Sequence, residues 1–404
     1  MFFIADILTR TAKMFLFVNA FFKRQYQRRR MRFPIFFSIG ITLESKYRRQ
    51  FLAGGRICTI VAERLLCMSG QPALHFKYYM EILSRRHFFK EPPAAICVST
   101  FKEHAGVKSI AFNETKAIMA TCSIYGVRMN SLSPDGTNPK HVASLMGNTV
   151  TSLTFHETKP LLACGGSGNN AILYHLSDNG TTATNATILA GHSGIVYSVA
   201  FHPSLPLLAT GSSDNTAKLW QILVDGKSAT CISTLKGHHQ SVMSVAFHSS
   251  LPLLATGSSD KTVKIWNLSA DSAVANCVAT LEGHSDFVFC VAFHRFLRLR
   301  ATGSSDKTAK IWNFSPDGAV ANCVATLQEH DDIVCSVDFN HSAPVLVTAS
   351  NGYTRIYTMT PYGTAATCVA TLKGPSKKVL SVKFHPAEPV LAIGGDDGLG
   401  KLYK

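Results

Sequence analysis

Residues 231–276 read CISTLKGHHQSVMSVAFHSSLPLLATGSSDKTVKIWNLSADSAVAN, and residues 277–322 read CVATLEGHSDFVFCVAFHRFLRLRATGSSDKTAKIWNFSPDGAVAN. Two neighbouring stretches this alike are one structural unit written twice, and a period of this length decides the fold before any local reading does. The three tryptophans, Trp220, Trp266 and Trp312, hold one phase at intervals of 46. Following a single phenylalanine outward gives seven units: Phe112, Phe155, Phe201, Phe247, Phe293, Phe339 and Phe384, at steps of 43, 46, 46, 46, 46 and 45. Ahead of each lies a short run such as Val196-Tyr197-Ser198-Val199-Ala200. Behind it come a turn, then Leu-Leu-Ala-Thr-Gly-Ser-Ser-Asp, then a run ending in Ile-Trp or its equivalent. Each unit therefore predicts four short strands, alternating or continuously apolar and separated by Gly, Asp, Ser and Pro. No helical period is sustained in the array.

The Gly-His pairs Gly191-His192, Gly237-His238 and Gly283-His284, with Ser-Ser-Asp turns and a following Trp, resemble WD40 repeats. The unit length suits a four-stranded propeller blade of about 40–45 residues. The resemblance covers about residues 94–404 and is strongest in the third to fifth units. It implies an all-β, seven-bladed WD40-type β-propeller over residues 93–404. Closure follows from the strand pattern itself. A run such as Cys277-Val278-Ala279-Thr280-Leu281 forms the outermost strand of the preceding blade. Gly400–Lys404 leaves the seventh blade one strand short, while Ala95–Phe101 is such a strand with no blade before it. Pairing the two shuts the ring and removes its open edge.

In the family, the His of Gly-His, a Ser/Thr of the second strand, the turn Asp and the Trp form one hydrogen-bonded set. Carried over, these are His192, Thr210, Asp214 and Trp220; His238, Thr256, Asp260 and Trp266; and His284, Thr302, Asp306 and Trp312. Buried indole, hydroxyl and imidazole groups each need a partner, so the sets are expected to be structural tetrads. The other units depart from the pattern. The second has Asn148, Cys164, Gly168 and Tyr174, and the seventh has Pro375, Ile393, Asp397 and Tyr403. The sixth keeps His330 and Thr348 but has Tyr357 for Trp, and the first keeps His104 and Thr121. Those blades are expected to be looser.

Asp, His and Thr together also suggest a hydrolase triad. Three copies in phase with a repeat favour architecture, since a nucleophile needs exposure and an oxyanion hole at one unique place. No paired Cys-x-x-Cys or His-x-x-x-His spacing points to zinc. Neither metal nor cofactor nor small-molecule substrate is expected, and the chain reads as a non-enzyme. The inner strands carry Ser, Val, Ala and Cys, with Asp338 the one carboxylate noted there, which speaks against catalysis in a central channel. Cys97, Cys231, Cys277, Cys323 and Cys368 share a phase on different blades and read as packing residues. Eleven Cys, an odd number, exclude a fully paired disulfide framework and favour a reducing compartment, the cytoplasm or the nucleus.

The resemblance implies a scaffold or adaptor that binds proteins or peptides through its loops. The upper rim is expected from residues after Gly-His and before the turn Asp: Ser193, Ile195 and Ser213; His239, Ser241 and Ser259; Ser285, Phe287 and Ser305. Asp331, Ile333 and Asn351, then Ser376, Lys378 and Asp396, continue it. Phe287, Ile195, His239, Asp331, Ile333 and Lys378 are the candidate contact residues, with aromatic Phe287 as the anchor. In the fifth unit Arg295-Phe296-Leu297-Arg298-Leu299-Arg300 replaces the usual Pro-Ser-Leu-Pro-Leu-Leu. That places three Arg on the opposite rim, either meeting an acidic partner or phosphates or lying solvated along the edge.

The formal charge of +15 is uneven: residues 1–92 carry 17 Lys+Arg against 5 Asp+Glu, and 17 of the 39 aromatics. This composition, with Glu91-Pro92-Pro93, sets a boundary between a basic, aromatic-rich, partly helical or disordered extension (1–92) and the ring. Residues 23–32, KRQYQRRRMR, are flanked by uncharged runs of 9 and 11 residues, shorter than the roughly 20 needed to span a bilayer. The segment reads as a targeting peptide, as a contact to an anionic membrane or nucleic acid, or as a low-order stretch, including one upstream of the true initiating Met. Ala73–Phe89 fits one amphipathic helix.

Overall fold

The computed structural model describes residues 95–404 apart from 114–115, 147–148, 224–227, 270–274 and 361–362. The basic cluster at 23–32, the run Ala73–Phe89 and every expectation for residues 1–92 lie outside the described residues. Within them the chain forms seven four-stranded antiparallel sheets. The innermost strands, in chain order, are Ser109–Asn113, Val150–Phe155, Val196–Phe201, Val242–Phe247, Val288–Phe293, Ser336–Phe339 and Val379–Phe384. They ring a central channel of about 390 Å³. Blade 3 continues outward through Leu207–Ser212, Ala217–Ile222 and Ala229–Leu235, and blades 4 and 5 repeat it strand for strand.

Closure is as the strand pattern predicts. Cys97–Lys102 pairs antiparallel with Leu399–Tyr403 as the outer strand of blade 7, Thr100 opposite Lys401 and Phe101 opposite Gly400. Ile96 and Lys404 exchange both backbone hydrogen bonds at 3.0 Å. Phe101 lies across Gly400, where any Cβ would run into its ring. Its buried side chain joins Val107, Ile110, Phe112, Val390 and Leu402 in the core between the first and last blades.

The cores lie between blades, and this explains the Leu-Leu-Ala-Thr-Gly-Ser signature. In Leu207–Ser212 every residue is buried, because one face packs on each neighbour. Leu207, Ala209 and Leu219 of blade 3 meet Val242, Val245 and Leu254 of blade 4. Each enclosed Leu contributes about 1.5–3 kcal/mol. Gly211 sits where a Cβ would come within 2.8 Å of Val242 Cγ1, so glycine sets the spacing between sheets. The inner-strand serines tie blades together as well. Ser152 Oγ accepts from Val199 N at 3.2 Å, Ser198 from Val245 N at 3.1 Å and Ser244 from Val291 N at 3.1 Å.

The outer strands correct one expectation. Cys97, Cys231, Cys277 and Cys323 are exposed and Cys368 is half-buried, so they are not packing residues. A bulge is the cause. In blade 3 the pairing steps from Leu219–Ser233 to Trp220–Cys231, leaving Ile232 as the extra residue. Ile232 joins the inter-blade core and the thiol faces outward. Such a bulge also twists an unpaired edge away from foreign strands.

Candidate functional site

Each tetrad begins with an indole. Trp220 Nε1–H donates to Thr210 Oγ1 at 2.9 Å, and Thr210 lies 2.7 Å from His192 Nε2. His192 Nδ1 is 2.8 Å from Asp214 Oδ2. The carboxylate accepts only, so Nδ1 carries the proton and Nε2 accepts from the Thr hydroxyl. Asp214 also accepts from Ser193 N at 3.0 Å and Thr216 Oγ1 at 2.7 Å, which pins the turn to the entering loop. Blade 4 repeats this with His238–Asp260 and His238–Thr256 at 2.7 Å and Trp266–Thr256 at 3.0 Å. In blade 5, His284–Asp306 and His284–Thr302 are 2.7 Å, and Trp312–Thr302 is 2.9 Å. Burial lowers each imidazole, and the Asp only partly offsets it. Burial alone would raise the carboxyls, but bonds from Thr216 and His192 outweigh it and hold Asp214 at about 2, with Asp260 likewise at about 2. The ground state is therefore neutral imidazole against carboxylate. Thr210, Thr256 and Thr302 are wholly enclosed, so no substrate reaches the hydroxyl.

The degenerate blades are rewired. In blade 6, Thr348 Oγ1 stays 2.6 Å from His330 Nε2, but Arg355 Nη1 donates to His330 Nδ1 at 2.9 Å. The tautomer reverses: Nδ1 now accepts and Nε2 carries the proton. Burial, and then Arg355, bring His330 down to about 4. Tyr357 turns its hydroxyl to Glu329 Oε2 at 2.6 Å. In blade 1 the expected His104 is exposed, and buried Glu103 takes the place, accepting from Thr121 Oγ1 at 2.7 Å with Arg128 3.7 Å away. Glu103, not His104, stands nine residues before Phe112, as His192 stands before Phe201. In blade 2, Cys164 is buried and Tyr174 half-buried, and the residue nine before Phe155 is Met146, not the expected Asn148, which lies outside the described residues. In blade 7, Tyr403 donates to Lys373 O at 3.2 Å, and Asp397 Oδ1 accepts from Leu399 N at 2.9 Å.

A second histidine series went unread in the sequence. The residue after the phase-marking Phe caps the turn between first and second strands. His202 Nδ1 accepts from Ser204 N and Leu205 N at 3.2 and 3.0 Å. His156, His248, His294 and His385 do the same. Each ring then meets the phenylalanine of the next blade: His156–Phe201 at 5.1 Å, His202–Phe247 at 5.0 Å, His248–Phe293 at 5.2 Å and His294–Phe339 at 5.3 Å. His385 of blade 7 meets Phe112 of blade 1 at 4.8 Å. The five Phe-His dipeptides were the available signal.

On the upper rim, the residue three after the tetrad-His position, which Pro375 fills in blade 7, is fixed by its backbone. Ile195 O accepts from Ser213 N, Ser241 O from Ser259 N and Phe287 O from Ser305 N, each at 2.9 Å, and Lys378 O from Asp396 N at 3.0 Å. Phe287 is 41% exposed. His239, Asp331 and Lys378 are exposed, while Ile195 and Ile333 are half-buried. Ser193 and Ser285 are also exposed on this rim.

The channel holds more charge than the sequence reading gave it. Glu157 lines it beside Asp338, Lys383 and Arg295. Asp338 Oδ1 accepts from Lys383 Nζ at 2.6 Å, and Oδ2 from Phe384 N at 2.8 Å, tying blade 6 to blade 7. Arg295 reaches Glu157 at 3.9 Å, from blade 5 to blade 2. The expected trio of rim arginines is also corrected. Arg298 is exposed and Arg295 half-buried, but Arg300 is fully buried on the second strand, because its position is that of the core residue Leu254. Among the described residues no three His, Cys, Asp or Glu side chains gather as a metal site.

The family model described as WD domain, G-beta repeat matches residues 95–127, 184–221, 229–267, 275–313, 321–358 and 366–404, more than half of the chain. The chain belongs to the WD40 family. WD40 propellers are generally protein-interaction scaffolds and typically non-enzymatic. No curated protein matches this WD40 chain. The stretch between the first two matches holds the first three strands of blade 2, whose tetrad positions have lost His, Thr, Asp and Trp. The sheets count it as a blade all the same.

Proposed function

We propose that the ring is a non-enzymatic adaptor that docks a protein partner across its upper rim, with Phe287 as the central anchor. One observation carries this reading. Three residues after the tetrad-His position, the backbone is held the same way in blades 3, 4, 5 and 7, while the side chain changes from Ile195 to Ser241 to Phe287 to Lys378. A fixed scaffold with a variable surface suits recognition, and exposed aromatic anchors dominate such contacts. Phe287 is exposed and belongs to none of the cores between blades, so its truncation should leave the fold intact. Quantitative affinity purification with the full chain is expected to lose its enriched partner on Phe287→Ala, by about tenfold or more for an anchor of about 2 kcal/mol. The Tm should stay within about a degree of wild type. An unchanged partner profile, or a large fall in Tm, contradicts the assignment.

The charge of residues 1–92 supports a second role, retention of the adaptor on an anionic membrane or nucleic acid through residues 23–32. Salt-sensitive binding of the full chain to anionic vesicles or to RNA, lost when those residues are neutralised, is the expected result. Equal binding without them removes this role.

A further inference from the structure

Blade 5 breaks the repeat at a buried place. It reads Arg295-Phe296-Leu297-Arg298-Leu299-Arg300 where blade 4 reads Ser249-Ser250-Leu251-Pro252-Leu253-Leu254. Arg300 stands in the ladder between Phe293 and Trp312, as Leu254 stands between Phe247 and Trp266. Its side chain is 0% exposed. The guanidinium carbon lies 4.5 Å from the centre of the Phe314 ring and 5.7 Å from that of Phe293. Ring faces welcome the charge, but they accept none of the in-plane N–H groups. Nε, Nη1 and Nη2 are all buried without a hydrogen-bond partner. Burial lowers the group to about 9 with no carboxylate contributing, so it keeps its proton at neutral pH.

His248 packs edge-on against the same two rings, 5.2 Å from Phe293 and 5.6 Å from Phe314. Its Nδ1 is taken up by the amides of Ser250 and Leu251, so the proton is on Nε2. That atom too is buried without an acceptor. Every unmet group around the Phe293–Phe314 pair is thus a donor, and the net local charge is positive. A water molecule brings lone pairs but leaves that charge unbalanced.

We propose that Arg300, beside His248, holds a monatomic anion, chloride in practice, inside blade 5. Arg300 is wholly enclosed, which favours a monatomic ion over phosphate or sulfate. The covering turn supplies an entry. Phe314 N reaches Arg298 O at 3.3 Å, whereas Ile222 N–Pro206 O and Leu268 N–Pro252 O are 2.7 and 2.8 Å. Arg298 also lacks the ring that stiffens the sister turns.

The test is a melting series on the full chain at constant ionic strength, sodium gluconate being replaced stepwise by sodium chloride. Wild-type Tm is expected to rise saturably by a few degrees, while Arg300→Leu and Arg300→Met, the latter keeping an unbranched stem, stay flat. Crystals soaked in bromide should show an anomalous peak within hydrogen-bond reach of the Arg300 guanidinium. A flat wild-type series, or a rise shared equally by both variants, overturns the site. So does bromide found only elsewhere.

Discussion

Asp260 satisfies His238 Nδ1, the His239 amide and Thr262 at once, so its loss strands several donors at one point. Asp260→Ala is expected to destabilise by about 2–4 kcal/mol, read as a lower midpoint in urea unfolding with unchanged slope. Thr256→Val, which removes only the indole-to-imidazole link, should cost less. A cost near zero for Asp260→Ala makes the tetrad incidental. At this scale the sequence was most legible where the repeat was purest. Blades 3, 4 and 5 bring the carried-over His, Thr, Asp and Trp within hydrogen-bond distance. It misled where a neighbour imitated the motif: His104 looked like the tetrad residue, but the strand register puts Glu103 there. Arg300 misled for a different reason. Charge argued for a rim, whereas its repeat position, that of Leu254, lies on a strand buried on both faces.

Among the elements, the turn-capping histidines make the blades sensitive to acid. Nδ1 of His202, His248 and His294 accepts two backbone amides apiece, which a protonated ring cannot do. Burial brings all three from an ordinary 6.5 to about 4. The unfolded chain therefore takes up protons first, so this stability is fully present above pH 6.5 and is lost as pH falls toward 4. Tm measured against pH is expected to be level above about 7 and to fall steeply between about 6.5 and 4. His202→Asn should flatten part of that fall. Asn340 already caps the equivalent turn of blade 6, accepting from Ser342 N and Ala343 N at 2.9 and 3.0 Å. A pH-independent Tm over that window contradicts the neutral caps. Strand order and the number of elements could be read from periodicity alone. The bulges were not readable, because a one-residue slip at Ile232 leaves the pattern of apolar residues almost unchanged while turning Cys231 outward.

For the molecule as a whole, the cores between blades are built in one pattern, so the ring depends on its join. Blade 7 takes its outer strand from residues preceding blade 1, and the last His–Phe contact, His385 to Phe112, crosses the same seam. Gly400 is where the seam is tightest, under the ring of Phe101. Hydrogen exchange on the full chain probes the seam directly. Peptides covering 97–102 and 399–403 should exchange slowly and together in wild type. In Gly400→Val both should open while 242–281 stays protected. Free exchange of 97–102 in wild type, or a variant that opens one of the two strands and leaves the other closed, contradicts a ring shut by its own first strand.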